Sequence, residues 1–225
     1  MKLLAIETAV TPGSLAIVKT AGDSPPRRLE EDLPTDSRTA QSLAPAMAAM
    51  LDRLGWSATD LDLVAASVGP GSFTGLRIGV TAAKTLAYAA GARCVAVGTL
   101  AVIAHQARRH APSANGWAVL DAQRAQLFAA RLSAPHETTI VDKEAWLGSL
   151  REGEVVAGPI LEKLAERLPP GVVTAPESAW RPHAEIVAEL ALSAADSVSP
   201  FELMPIYGRL SAAEEKLAEK EAGEA

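Results

Sequence analysis

Two short apolar runs open the chain, Leu3–Thr8 and Ser14–Lys19, separated by a Pro12-Gly13 turn. Runs of this length bounded by turn formers predict strands. Arg28–Asp32, set between Pro25-Pro26 and Pro34, predicts a third. The spacing then lengthens. Over Ser37–Leu54 the larger apolar residues Leu43, Met47, Met50 and Leu54 fall four, three and four apart, so they share one face of a helix. Asp36 or Ser37 is placed to cap this helix, Pro45 to kink it and Gly55 to end it. A strand Leu63–Val68, a helix from about Phe73 to Ala90, a strand near Val95–Val97 and a helix near Leu100–His110 complete the order βββαβαβα.

The second half repeats that order. Trp117–Ala122, Gln126–Leu132 and Thr138–Val141 predict strands, followed by a short helix Glu144–Leu150, a strand Glu154–Ala157, a helix Leu161–Leu168, a strand Gly171–Thr174 and a helix Ala184–Ala195. The first strand of each half ends in an acid, Glu7 and Asp121, and the fourth runs into Gly-Pro, at Gly69-Pro70 and Gly158-Pro159. These coincidences predict two related α/β lobes, residues 1–112 and 113–199, with part of 200–225 returning to the first. The last fifteen residues open with a capping-box pattern, Ser211 and Glu214, but carry almost no apolar face, which predicts a solvated helix.

The turn at Gly69-Pro70-Gly71-Ser72 is a candidate anion cradle. Glycines admit unusual backbone angles there, and a helix N-terminus favours negative charge. No Gly-Lys-Ser/Thr follows, so it is not a Walker loop. Ser72 or Thr74 is placed to cap the helix. Along that helix Gly75, Gly79, Ala83 and Ala87 recur every four residues and form one row without bulk. Two readings are open for this row: close packing inside the chain, or a seat for a helix from another subunit.

Composition narrows the function. The 225 residues are 48% hydrophobic with no run long enough to span a membrane, and Glu7 interrupts the first apolar stretch too early for a signal peptide. A single cysteine, Cys94, excludes an internal disulfide, and a cytoplasmic protein is expected. The net charge of −6 and only nine aromatic residues argue against independent nucleic-acid binding. The four histidines, His105, His110, His136 and His183, lack the four-residue spacing of a helical metal pair. Ser72 lacks the Gly-x-Ser-x-Gly context of a nucleophile.

The stretches Leu4-Ala5-Ile6-Glu7-Thr8-Ala9, Gly69-Pro70-Gly71-Ser72-Phe73-Thr74-Gly75-Leu76-Arg77-Ile78-Gly79 and Val119-Leu120-Asp121-Ala122-Gln123-Arg124 resemble the TsaB (YeaZ) family, with a weaker echo at Pro205-Ile206-Tyr207-Gly208-Arg209. The resemblance implies two duplicated lobes of the actin/hexokinase/Hsp70-like, ribonuclease H-like type. It also implies a non-catalytic subunit of the machinery that makes threonylcarbamoyladenosine at position 37 of tRNA. Its partner would be the catalytic relative TsaD, with the ATPase TsaE joining the assembly and tRNA bound only through the complex. The catalytic relative carries a His-x-x-x-His pair where this chain has Ser37-Arg38-Thr39-Ala40-Gln41-Ser42.

On that resemblance the partner-binding surface would comprise Leu43, Met47, Met50, Leu54, Phe73, Gly75, Leu76, Gly79 and Ala83, and would hold a homodimer when the partner is absent. A residual nucleotide site for ATP or ADP at the complex interface would draw on Glu7, Thr8, Gly69, Gly71 and Asp121; no cofactor is required and no metal is expected. The alternative is an ATP-dependent phosphotransferase of the same fold, with Glu7 and Asp121 at the ends of the two first strands. It lacks paired glycines in the second half.

Overall fold

The computed structural model describes residues 1–22, 24–112 and 115–209, so the helix expected from Ser211 lies outside the described residues. The first half contains β1 (Lys2–Glu7), β2 (Ser14–Ala21), β3 (Ser24–Asp32), α1 (Thr39–Arg53), β4 (Leu63–Gly69), α2 (Phe73–Ala90), β5 (Arg93–Gly98) and α3 (Thr99–His110). The second contains β6 (Gly116–Gln123), β7 (Gln126–Arg131), β8 (Ala134–Asp142), α4 (Lys143–Ser149), β9 (Val155–Ala157), α5 (Leu161–Leu164), β10 (Val173–Thr174) and α6 (Ala184–Ser193). The sheets have orders β3-β2-β1-β4-β5 and β10-β9-β6-β7-β8, the same topology read from opposite ends. In each, the first strand is antiparallel to the second and parallel to the fourth. The duplication expected from Glu7/Asp121 and the two Gly-Pro steps is therefore a duplication of topology.

Element boundaries differ where punctuation misleads. β3 begins four residues early and runs through Pro25-Pro26, tolerated because it is an edge strand whose missing N–H groups break no ladder. α1 starts at Thr39 with Arg38 as its N-cap residue, which makes no side-chain cap bond, so neither Asp36 nor Ser37 takes the expected role. The helix continues through Pro45, which sits on the solvent side where the orphaned Gln41 carbonyl can turn to water. Gly55, at φ 63°, ends it, and Trp56 N–H donates back to the Leu51 carbonyl. α5 is one turn of α-helix followed by a 3-10 turn, shorter than expected.

Side chains at alternate strand positions divide the first sheet cleanly. Leu4, Ile6, Val64 and Ala66 pack with Leu43 and Met50 of α1 and Val80 and Ala83 of α2. On the opposite face Leu3, Ala5, Ala65 and Val95 pack against Ile186, Val187 and Ala191 of α6. The second sheet is covered by α3, through Leu100, Ile103, Ala104 and Ala107, and on its other face by Trp146, Leu147, Leu161 and Leu164.

The expected boundary at residue 112 thus separates the sheets but not the helices. α3 leaves the first half to cover the second sheet, and α6 leaves the second half to cover the first. The return to the first lobe begins at Ala184 rather than near residue 200. Beyond α6, Val198 pairs with Cys94, Leu203 enters the α1/α2 core and Ile206 N–H donates to the Val68 carbonyl at 2.6 Å. Cys94 is free and fully buried, and burial pushes its thiol pKa up. Among the described residues no helix is long and apolar enough to cross a membrane.

Candidate functional site

The small-residue row on α2 faces inward. A methyl group added at Gly75 would stand 2.0 Å from the Thr8 carbonyl, and one at Gly79 2.0 Å from Thr8 Oγ1. Ala83 and Ala87 are completely buried in the same core. The row therefore seats α2 against the end of β1 within this chain, which corrects its assignment to a foreign helix. Leu76 is fully buried as well. On α1, Leu43 and Met50 point into the sheet while Met47 is half-buried. Of the nine residues expected at a partner surface only Leu54 and Phe73, each about two-fifths exposed, face solvent. An apolar stripe reads the same whether it covers the chain's own sheet or a partner, and here the sheet takes it.

The opposite faces of these helices are unusual. α1 carries no charged residue from Thr39 to Leu51, and its outer side presents Ala40, Gln41, Ala44, Pro45, Ala48 and Ala49 to solvent. α2 turns outward Thr74, Thr81, Thr85 and Ala89, with Ile78 and Ala82 half-buried between them. Its only charges are Arg77 and Lys84. A solvent-facing helix ordinarily places charged residues on that side. An uncharged outer face on α1 beside a sparsely charged one on α2 makes a surface suited to close approach by other helices.

The turn before α2 is closed by the chain itself. Ser72 Oγ accepts from Gly75 N–H at 3.1 Å, so the expected serine cap is present. Ser72 N–H donates to the Ala9 carbonyl at 2.7 Å. Gly69, at φ 122°, lies against the Ile206 carbonyl and Gly71, at φ 158°, against Ala9. Two of the N–H groups an anion would use are thus occupied. Gly158 repeats the arrangement in the second lobe, at φ 150° against the Val119 carbonyl.

Glu7 is sealed beneath this turn. Its Oε1 accepts from Ala9 N–H at 2.5 Å, while Oε2 has no hydrogen-bond partner. Burial dominates its ionisation and raises the pKa from 4.5 to about 7; the neighbouring Ser67 hydroxyl, the Ala9 and Val10 amides and Arg181 oppose that rise without cancelling it. Thr8 Oγ1, also buried, has no partner. Asp121 instead organises its own turn. Its Oδ1 accepts from Gln123 N–H at 2.8 Å, and Gln123, Arg124 and Ala125 follow in left-handed conformations, φ 64°, 52° and 60°. Such a run in non-glycine residues stores strain, held here by Arg209 donating to the Ala122 carbonyl and Lys143 N–H to the Ala125 carbonyl.

A cavity of about 670 Å³ lies between the two lobes, lined by Thr11, Pro12, Pro159, Lys163, Trp180 and Arg181 among others. None of Glu7, Thr8, Gly69, Gly71 or Asp121 lines it. The structure brings Glu7, Thr8 and the glycine turn together as a packed niche and leaves Asp121 outside it. Among the described residues no cluster of three or more His, Cys, Asp or Glu is placed to hold a metal ion.

Arg181 is a residue that sequence reasoning missed, since a lone arginine between Trp180 and Pro182 carries no pattern. It donates to the Pro12 carbonyl at 3.0 Å and to both oxygens of Asp32 at 2.8 and 2.9 Å, tying the segment before α6 to the first sheet. Asp32 is about half exposed, so solvent screens the pair. Arg181→Ala is expected to cost about 1 kcal/mol, a melting-point drop of roughly 2–4 °C, which Arg181→Lys does not restore because an ammonium cannot make the fork. Thermal denaturation of the two variants checks this.

Two equivalent five-stranded sheets, each sandwiched by helices and each sending one helix to the other, define a duplicated α/β protein of the actin-like, ribonuclease H-like class. The sequence model of the TsaD family, tRNA N6-adenosine threonylcarbamoyltransferase, matches residues 35–168, more than half the chain. The chain belongs to this family, on its TsaB (YeaZ) branch. It is 33% identical over 128 residues to the tRNA threonylcarbamoyladenosine biosynthesis protein TsaB of Escherichia coli, covering 57% of this chain and 53% of that protein. It is 36% identical over 84 residues to the TsaB of Bacillus subtilis, covering 37% and 36%. The matched stretches span about half or less of these two relatives. The structure of YeaZ from Pseudomonas aeruginosa superposes with a TM-score of 0.71 at 25% identity, covering 92% of this chain and 99% of that one.

Proposed function

We propose that this chain is a non-catalytic subunit of the threonylcarbamoyladenosine machinery. It binds TsaD and favours its active state, and TsaD transfers the threonylcarbamoyl group to N6 of adenosine 37 of tRNA. The observation that carries the reading is the uncharged outer face of α1, set beside an α2 whose only charges are Arg77 and Lys84. A thirteen-residue charge-free stretch from Thr39 to Leu51 on a surface helix is costly to leave bare and well suited to burial. The relatives named TsaB and the TsaD family match support this choice of reaction and partner. The sealing of Glu7 and the closed glycine turn favour a binding role over phosphotransfer. On this reading nucleotide, ATP or ADP, enters at the contact with TsaD, TsaE joins the pair, tRNA is met only through the complex, and the site of action is the cytoplasm. A homodimer through the same helices forms when TsaD is absent.

Activation requires that the chain bind the active conformation of TsaD more tightly than the inactive one. The test is Ala48→Arg, which places a long cation at the centre of the exposed alanine face. TsaD from the same organism should bind the variant at least about tenfold more weakly by calorimetry, because an unpaired charge is driven into a desolvated contact. The melting temperature should stay unchanged. Wild-type affinity in a folded Ala48→Arg protein would place the contact elsewhere.

A further inference from the structure

A second hollow lies where α3, β5 and the end of α6 meet the turn between β7 and β8. Its volume is about 390 Å³, within the range of small-molecule sites. The hollow stays open because α3 turns small residues toward it. Ala101, Ala104, His105 and Arg108 line it at spacings of three, one and three, so they share one face of the helix. The bulkier Leu100 and Ile103 of α3 are committed to the second sheet. Val95 and Val97 of β5, Leu132 and Leu190 complete an apolar wall.

The charge around this hollow has one sign. None of the residues lining it is acidic, although the chain as a whole carries −6. Arg108 is exposed at its edge and pairs with no carboxylate among the described residues. His105 is held in the wall by Glu189 Oε1 at 3.1 Å, and Arg109 is tied to the same carboxylate group. His136 contributes from the β8 side. The last turn of α3 is basic throughout, Arg108, Arg109 and His110, which outweighs the partial negative charge of a helix C-terminus. The cavity of about 670 Å³ differs in this respect, since Glu162, Glu166 and Glu177 line it beside Lys163.

We infer that the hollow beside α3 binds a small organic anion with an apolar body, of the size of a medium-chain carboxylate. The apolar body lies along Ala101 and Ala104 against the two valines, and the carboxylate meets Arg108. A guanidinium can hold a carboxylate through two parallel N–H···O bonds. An ion pair at an exposed edge is weak by itself, so the body must supply most of the affinity. Each buried methylene contributes a gain of about fourfold. The site is independent of the proposed assembly with TsaD, because no residue of α1 or α2 lines it.

The test is calorimetric titration of the full chain with octanoate, 1-octanol and acetate. Octanoate should bind saturably at a single site. Octanol, with the same chain length and no charge, should bind at least about tenfold more weakly, and acetate not measurably. Arg108→Gln should weaken octanoate binding at least about tenfold without shifting the melting temperature. Ala101→Phe, which fills the hollow, should abolish it, and Lys163→Gln, at the larger cavity, should leave it unchanged. Equal affinities for octanoate and octanol would leave only a non-selective apolar gap and overturn the inference. Wild-type affinity in Arg108→Gln, a loss in Lys163→Gln, or no saturable binding would overturn it as well. Should Ala101→Phe not fold, the exposed Arg108→Gln still decides.

Discussion

Gly75→Ala is expected to lower the melting temperature of this protein by roughly 6–12 °C, an effect of about 3 kcal/mol. Alanine is the better helix former by about 1 kcal/mol, so propensity alone predicts the opposite sign. Packing wins because the new methyl would stand 2.0 Å from a backbone oxygen, Thr8 O, which no rotamer change can move. Either β1 or the first turn of α2 must shift, and both carry the Ala9–Ser72 hydrogen bond and the Ser72 cap. Gly79→Ala is the informative contrast. There the obstacle is Thr8 Oγ1, a side-chain atom with no partner of its own, so Thr8→Ala should restore most of what Gly79→Ala loses. Thermal denaturation of both single variants and the double variant measures the coupling. Restoration of Gly75→Ala by Thr8→Ala would contradict the geometry, since the carbonyl remains.

Glu7→Gln should stabilise the protein progressively as pH rises. The folded state holds the Glu7 proton up to about pH 7, whereas the unfolded chain releases it near 4.5. Between those values the folded state binds more protons, so the wild type loses stability with increasing pH and levels off above about 7. The loss amounts to roughly 3 kcal/mol. The glutamine amide keeps an acceptor for Ala9 N–H but does not titrate. Denaturant unfolding of both proteins from pH 4 to pH 8 should therefore show curves whose separation widens by about that amount, in favour of the variant. Parallel curves would mean that Glu7 is open to water. A variant that gains nothing at pH 8 would mean that the carboxylate is stabilised there by a partner.

The order of elements along the chain, the duplication and the positions of most helices are legible in the chain because alternation, helical spacing and Gly/Pro punctuation act locally. Edge strand β3 runs past its expected start because proline is forbidden only where an N–H is needed, a condition set by strands remote in sequence. The direction in which α1 and α2 face is not legible. Leu43, Met50, Gly75, Gly79 and Ala83 mark an apolar side, and only the placement of β1 and β4 shows that the chain's own sheet fills it. The outer faces were visible as a lack of charge over Thr39–Leu51, a weaker signal than a stripe of leucines and methionines. Glu7 was legible as an acid at a strand end but not as a sealed one, since its surroundings include Ser67 and Arg181, both remote in sequence. Arg181 and the return of the chain to α2 belong to contacts across 130 or more positions of chain, between Arg77 and Tyr207 or Arg181 and Asp32, and no local pattern records them.

Because α3 and α6 change places, neither half of the duplication is a self-sufficient unit. A polypeptide released after its first half would hold Leu100, Ile103 and Ala107 with no second sheet to receive them, and a bare sheet face where α6 belongs. Neither sheet is therefore fully covered until residues as far as α6 have been synthesised.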